Sequence, residues 1–336
     1  MTSVSIGDLA QSLQLRRDNA RLNAQLNTLT RELSTGKTAD PDTRLSGDYT
    51  VFAALNADLS RNASVQRAIR DFGLETDARQ TTLGSVLDLG REVTTALLEV
   101  STLLGPEARR AAAQTAASRF EGVVLSLNTQ LGGRALFAGQ AVGGAAVTSV
   151  ETMLTDIEAQ IATAGATDPA DIETIVQQWF GPGGGFETIG YVGAPDPLSE
   201  PAKDGSFGGE VPTALDPRLR ETLAGLALAS LVDQGIVDPA TDEAVDLLGR
   251  ASAILLNADQ DLVDMRAEIG NAQERNESQL AELTSAQFAL EQARNSLTEV
   301  DTFKTAVELE NAENQLRTLY ALTAKLSGLS LTEFIR

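Results

Sequence analysis

Two residue types are missing from this sequence of 336 residues, which contains no cysteine and no histidine. Without cysteine there is no disulfide framework and no thiolate site. Without histidine the usual zinc sites, histidine acid–base catalysis and the Ser-His-Asp and Cys-His nucleophile systems are excluded. We expect no catalytic residues, no metal site and no cofactor, and a protein that is not an enzyme.

Aromatic residues make up only 4% of the chain, although 42% of it is hydrophobic. Any core must therefore consist mainly of Leu, Ala, Val and Ile side chains, which suit the narrow seams between packed helices. Basic residues are also few, at 26 against 47 acidic ones, and the net charge is -21. Because nucleic acids and anionic membranes bind basic surfaces, we expect neither as a partner.

Long hydrophobic runs are absent as well. The longest apolar stretch, Leu223 to Val232, is interrupted by Gly225 and Ser230 and falls far short of the ~20 residues that cross a bilayer. The first fifteen residues contain Asp8 and lack the basic region and apolar core of a cleavable secretory signal. By these rules alone we would expect a cytoplasmic protein.

Proline is scarce outside the middle of the chain, since eight of the ten prolines lie between Pro169 and Pro239. Because an interior proline breaks a helix, the residues after Pro239 are free to be almost continuously helical. Glycine is also frequent in the middle, which indicates loops and short strands between helical stretches at 150–164, 170–180 and 218–232. We therefore predict an inserted α+β domain over 140–240.

Leucines at helical spacing mark both ends of the chain. The N-terminal stripe consists of Leu15, Leu22, Leu26, Leu29 and Leu33, with the four- and three-residue spacing of a helix–helix seam, and Gly36 follows it. The C-terminal stripe consists of Leu309, Leu316, Leu319 and Leu326. Such stripes fit the core of an ordinary monomeric bundle as well as an interface between copies, because a seam pattern does not identify its partner.

An acidic segment near the C-terminal end partly matches a calcium-binding loop. Asn257, Asp259, Asp261 and Glu268 occupy several ligand positions of an EF-hand. However, Leu262 stands where the loop requires glycine. We therefore interpret the segment as a solvated helix face.

The middle of the chain offers candidates for other kinds of site. Asp168, Asp171 and Glu173 lie near Trp179 and could serve a wall-remodelling glycoside hydrolase, but no spacing singles out an acid and its partner. The cluster Gly181–Gly185 lacks the Lys-Ser/Thr of a phosphate-binding loop and is interpreted as a flexible surface turn.

Several segments resemble the conserved segments of the bacterial flagellin family. Residues 266–275 resemble the Arg, spaced Gly, Gln and Arg motif that opens its last long helices, and residues 296–301 resemble its Ser-x-x-x-x-Asp segment. Residues 316–331 look like its C-terminal end, and residues 33–37 resemble its Leu-Ser-x-Gly turn. The chain departs from the family at 40–42, where Asp-Pro-Asp replaces the usual Asp-Asp-Pro or Asp-Asp-Ala cluster.

The segment Gly132–Gly139 resembles the flagellin-like hook–filament junction proteins more than a typical flagellin, because it reads Gly-Gly-Arg-Ala-Leu-Phe-Ala-Gly. The resemblance covers roughly residues 1–140 and 240–336. It implies a mainly α, elongated bundle of long terminal helices with coiled-coil-like seams. The predicted parts are an N-terminal axial helix (1–36), a helical rod (45–139 and 241–299), a variable outer domain (140–240) and a C-terminal axial helix (300–336).

The resemblance also implies a function. The expected role is a structural subunit that joins hook to filament through helical self-assembly of its paired termini, with flagellin itself as the alternative. The two leucine stripes would then form the assembly interface. The implied partners are copies of the chain, the other hook-associated junction protein, flagellin and an export chaperone. Flagellar type III export without a cleaved signal would place the protein outside the cell, which replaces the cytoplasmic expectation.

Overall fold

The computed structural model describes residues 6–40, 49–100, 105–141, 143–202 and 207–334. Helices dominate these ranges, so the predicted mainly α class is confirmed. The helices are α1 (Ile6–Thr35), α2 (Thr50–Val100), α3 (Pro106–Leu127), α4 (Val150–Ala164), α5 (Pro169–Phe180), α6 (Pro217–Asp233), α7 (Asp242–Thr298) and α8 (Thr302–Phe334), with a short π-helix at Phe186–Gly190. No helix in these ranges is long and apolar enough to cross a bilayer.

Strands are few and short in the described ranges. The antiparallel pairs are β1 (Gln130–Leu131) with β2 (Arg134–Ala135), and β3 (Ser199–Pro201) with β4 (Phe207–Glu210). The first pair flanks the turn at Gly132 and Gly133. Both pairs lie outside the long helices, as the scarcity of proline there predicts.

The chain divides into two compact units. The terminal unit comprises Met1–Ala63 and Thr284–Arg336, and the central unit comprises Ser64–Leu283. The long helices α2 and α7 contribute residues to both units. These divisions differ from the predicted ones at 140 and 240, because the central unit also takes in α3 and large parts of the predicted rod.

Helix α6 lies in the interior of the central unit. Of its 17 residues, 13 are buried, and these occupy every side of the helix. A helix that is apolar all round must be covered by other elements. Gly225 allows the close approach of α7, because a Cβ at this position would lie 2.8 Å from Cγ of Leu255.

A single hydrophobic cluster joins the middle of the chain to its flanking helices. It includes Leu97 of α2, Phe120 of α3, Trp179 of α5 and Leu262 of α7 together with most of α6. Trp179 is 1% exposed and contacts Phe180 edge-on at a ring-centroid distance of 4.7 Å. Residues 140–240 therefore share one core with α2, α3 and α7 and do not pack as a separate inserted domain.

Helix α3 ends at Leu127, because the side chain of Asn128 binds a later part of the chain. Its side-chain oxygen accepts hydrogen bonds from the backbone N–H groups of Ala146 and Val147, each at 2.8 Å, and its amide donates to the Val147 carbonyl. The chain then turns at Gly132 and Gly133, whose positive φ angles of 61° and 82° suit a tight hairpin.

The rest of the Gly132–Gly139 segment is buried. Leu136, Phe137 and Ala138 are each 3% exposed or less. Gly139 has a φ of 61°, and a Cβ there would collide with the carbonyl oxygens of Ala194 and Asp196. The residues that carry the resemblance to junction proteins therefore serve packing within the central unit.

A buried arginine ties this segment to α2. Arg79 is 1% exposed and donates two hydrogen bonds to the Leu136 carbonyl oxygen, from Nε at 3.1 Å and Nη2 at 2.8 Å. Its Nη1 lies 3.3 Å from the Glu75 carboxylate, which balances the buried charge. The hairpin is thus held to the helix through its backbone as well as its side chains.

We expect Gly225→Ala to destabilise the central unit. The added methyl group would overpack the contact with Leu255, at a typical cost of ~1–3 kcal/mol that exceeds the helix-propensity gain of ~1 kcal/mol. Gly249→Ala is the matched control, since Gly249 is also helical and nothing lies within 4 Å of its Cβ position. Urea unfolding should show a lower midpoint for the first variant and a higher one for the second. Equal shifts would contradict the close approach at Gly225.

Tyr191 makes stability depend on pH in the alkaline range. Its side chain is buried, its hydroxyl donates to the Ala194 carbonyl at 2.6 Å, and burial raises its pKa to about 12. Because the folded pKa lies above that of the unfolded chain, this stabilisation is complete below about pH 10 and is lost as pH rises towards 12. Chemical unfolding between these values should show a decline that is shallower in Tyr191→Phe. An identical decline in both proteins would refute this assignment.

Candidate assembly interface

Helices α1 and α8 pack against each other within the terminal unit. On α1, Leu22 is 4% exposed and Leu29 is 6% exposed, and on α8, Ala312 is 1% exposed. The predicted stripe residues Leu15, Leu26, Leu309, Leu316 and Leu319 are half-buried, and Leu33 is 37% exposed. Leu326 lies on α8, but its side chain is outside the described residues.

A backbone clasp joins the end of α1 to the turn before α8. The N–H of Thr38 donates to the Thr298 carbonyl at 2.8 Å, and the N–H of Val300 donates to the Gly36 carbonyl at 3.0 Å. Lys37 and Glu299 form an antiparallel bridge between these two bonds. Because α1 ends at the clasp and α8 begins there, the two helices run antiparallel.

Local capping explains why both turns form where they do. Gly36 follows the last residue of α1 and has a φ of 67°. A residue without Cβ adopts this left-handed conformation at little cost, so glycine suits the end of the helix. Glu32 folds back so that its carboxylate accepts from the N–H of Ala39 at 2.8 Å. At the other turn the Asp301 carboxylate accepts from the N–H of Lys304 at 3.1 Å, which caps the start of α8.

The clasp brings together two segments that sequence analysis recognised separately. Residues 33–37 and 296–301 each resemble a flagellin segment, and the structure places them in hydrogen-bonding contact. Two further seam residues were not among the predicted interface set, namely Ala312 and the 5% exposed Thr305. Their spacing of three and four residues from Leu309 was the signal that could have identified them.

The EF-hand interpretation is excluded by the path of the chain and by the partners of its acids. Residues 257–268 lie inside the continuous helix α7. Asp259 forms an ion pair with Arg91 at 2.6 Å, and Glu268 forms one with Arg218 at 2.8 Å. Among the residues that the structure describes, no group of acidic side chains could hold a metal ion.

The acids considered for glycoside hydrolysis have structural partners. Asp168 caps α5 by accepting from the N–H of Ala170 at 2.8 Å, and Glu173 forms an ion pair with Arg250 at 2.7 Å. The Trp179 indole N–H donates to Asp156 at 2.7 Å. In the neighbouring glycine cluster, a Cβ at Gly185 would collide with the Trp179 ring, so this turn is set by packing.

Residues 253–335 match the family model described as the bacterial flagellin C-terminal helical region. This range contains most of α7, the turn of the clasp and all of α8. Residues 253–335 are therefore similar to a flagellin C-terminal helical region, and the terminal unit from Thr284 to residue 335 lies within this match.

The fold is similar to that of FlgL in the crystal structure of Bacillus cereus FlgL. The TM-score is 0.51 at 15% sequence identity, and the alignment covers 72% of this chain and 100% of that chain. No curated protein matches the chain. The family match is confined to residues 253–335, and the similarity to FlgL is a similarity of fold.

We expect Leu29→Ala to loosen the pairing of α1 with α8. Replacing a buried leucine with alanine typically lowers stability by ~2–5 kcal/mol. Replacing Leu33 should lower it less, because this side chain is more exposed and loses less buried apolar area. Hydrogen exchange of α1 amides should therefore accelerate strongly in Leu29→Ala and only slightly in Leu33→Ala. Similar acceleration in the two variants would show that Leu29 does not hold this seam.

Proposed function

We propose that this chain is a hook–filament junction subunit of the bacterial flagellum that assembles through its terminal unit. The shared fold with FlgL, a hook–filament junction protein, supports the junction role, since the similarity spans the whole of that chain. The segment Gly132–Gly139 adds support, because its sequence resembles junction proteins and its residues fix the central unit.

The observation that carries the proposal is the pairing of the N-terminal helix α1 with the C-terminal helix α8. The first helix and a flagellin-type last helix are joined by the clasp, and they form a unit distinct from the central one. Such a unit presents a self-contained surface to neighbouring subunits. We assign residues 1–36 and 300–336 to the axial layer of the assembly and residues within 140–240 to its outer part.

Export and partners follow from this role. The protein would leave the cell unfolded through the flagellar type III apparatus without a cleaved signal, and the absence of cysteine is compatible with that route. Its partners would be copies of itself, the other hook-associated junction protein, flagellin and an export chaperone. The terminal helices would order fully on docking, because an apolar helix face gains stability from burial against a partner.

Flagellin itself is the second candidate. The observation in its favour is the family match, which is to a flagellin C-terminal region and covers the clasp and α8. A filament subunit and a junction subunit would use the same terminal pair. Their difference lies in position within the organelle, which genetics and imaging can resolve.

We expect deletion of the gene to leave hooks without filaments and to release flagellin into the medium. Electron microscopy and an assay of the medium measure the two results. Hooks without filaments and without any flagellin would instead favour the filament role, and unchanged filaments would refute both.

Complementation of the deletion tests the seam. A chain with Leu309→Asp and Leu316→Asp should be produced but should not restore filaments, since it places charge in the α1–α8 contact. In the purified full-length variant, the unfolding transition of the central unit should be the same as in the wild-type protein. Restored filaments would separate the junction role from the predicted leucine interface.

A further inference from the structure

The leucine seam is occupied within the subunit, so contact with another copy requires a different surface. Leu22, Leu29 and Ala312 are already buried between α1 and α8. Residues that remain exposed on the same two helices include Leu13 at 49%, Phe303 at 79% and Val307 at 43%. The helix pair therefore has two apolar faces. The inner face packs α1 against α8, and the outer face is exposed and available to a partner.

Helical spacing separates these two faces. Phe303, Val307 and Glu310 lie at intervals of four and three residues and therefore share one side of α8. At 100° per residue this side is opposite the one that carries Ala312. Among the phenylalanines whose side chains are described, only Phe303 and Phe288 are more than half exposed, and both belong to the terminal unit.

The outer side of α1 has a comparable set of residues with the opposite charge. Leu13, Arg16 and Arg17 are exposed and share one side of the helix at intervals of three and one. In the described part of the chain no ion pair involves either of these arginines. Arginine is favoured at interfaces because its guanidinium binds carboxylates in a fixed geometry.

Charge is distributed unevenly along the helix pair. The half next to the clasp, residues 23–40 and 299–313, has three basic and seven acidic residues, a net charge of -4. The opposite half, residues 10–22 and 314–325, has five basic residues and one acidic residue, a net charge of +4. Asp8, Glu333 and Arg336 lie beyond the ends of the described side chains and are not counted.

We propose that neighbouring copies of this chain contact each other through staggered terminal helix pairs, with the basic half of one copy beside the acidic half of the next. Phe303 and Val307 are the apolar centre of the contact, and the Arg16–Arg17 side of the neighbour faces Glu310. The inference rests on the proposed function, because it specifies how the assembling unit meets a second copy of itself.

Charge complementarity selects this arrangement over the alternatives. Helix pairs aligned in register would place +4 beside +4 and -4 beside -4, and like charges in contact are repulsive. A shift of about half a helix, ~20 Å at 1.5 Å per residue, places opposite charges together. Such a contact joins two different surfaces and does not close on itself, as growth of a helical array requires.

The absence of cysteine makes the stagger directly measurable. Ala10→Cys labels the Arg17 side of the basic half, and Asn311→Cys labels the acidic half; both positions are exposed. Counted from the Lys37–Glu299 bridge they differ in height by 15 residues, ~22 Å at 1.5 Å per residue, which matches the proposed shift. The two variants, each with a different isotope label, are mixed, assembled and oxidised. We expect roughly tenfold more mixed disulfide dimer than dimer of either variant with itself, because like-charge contacts are disfavoured.

A charge-reversal series provides the second readout. Arg16→Glu with Arg17→Glu should weaken cross-linking and assembly, and Glu308→Lys with Glu310→Lys in the mixed partner should restore both. Arg110→Glu on α3 is the control and should change neither. The wild-type contact should also weaken as salt concentration rises.

The outcomes distinguish this inference from the proposed function. Assembled particles in which each variant cross-links mainly with itself, or forms no mixed dimer, would overturn the stagger and leave the junction role standing. Failure of the reversed partner to restore assembly would likewise overturn it. A chain that forms neither particles nor cross-links, and whose deletion leaves filaments unchanged, would overturn the junction role together with the stagger.

Discussion

Two backbone hydrogen bonds between residues near Gly36 and residues near Val300 hold the terminal unit together, and its other features depend on them. They join segments far apart in sequence, and they set the register of α1 against α8. Only in that register do Leu22 and Leu29 meet the side of α8 that carries Ala312. Backbone groups suit this task because their geometry does not depend on side-chain rotamers.

The central unit depends on an aliphatic core around helix α6. Aromatic residues are scarce, so its core is built from aliphatic side chains around α6, with Trp179 and a few phenylalanines at one side. Helix α6 can be surrounded only because α2, α3 and α7 all contribute apolar faces. The buried Arg79 adds a polar contact at the Leu136 carbonyl, where the hairpin would otherwise leave an acceptor without a partner.

The leucine stripe of α1 makes its contacts within the chain, since Leu22 and Leu29 are buried in the terminal unit. A leucine stripe at helical spacing is equally suited to contacts within a chain and between copies, and here it is used inside the terminal unit. The outer side is left with isolated apolar side chains and charges of opposite sign at the two ends. Because exposed ion pairs are weak and salt screens them, contacts between copies through this side, as proposed, would be reversible.

Sequence patterns determined the helical class and the position of most helices, and they placed leucines at helical spacing on both terminal helices. The periodicity of leucine and the placement of proline are local properties, so α4 (Val150–Ala164) began and ended at the predicted residues. Tertiary structure alone decided which helix fills each seam, that residues 140–240 share a core with α2, α3 and α7, and that the two flagellin-like turns meet. These features arise from contacts between distant residues, and a one-dimensional pattern records a side chain's chemistry but not its partner.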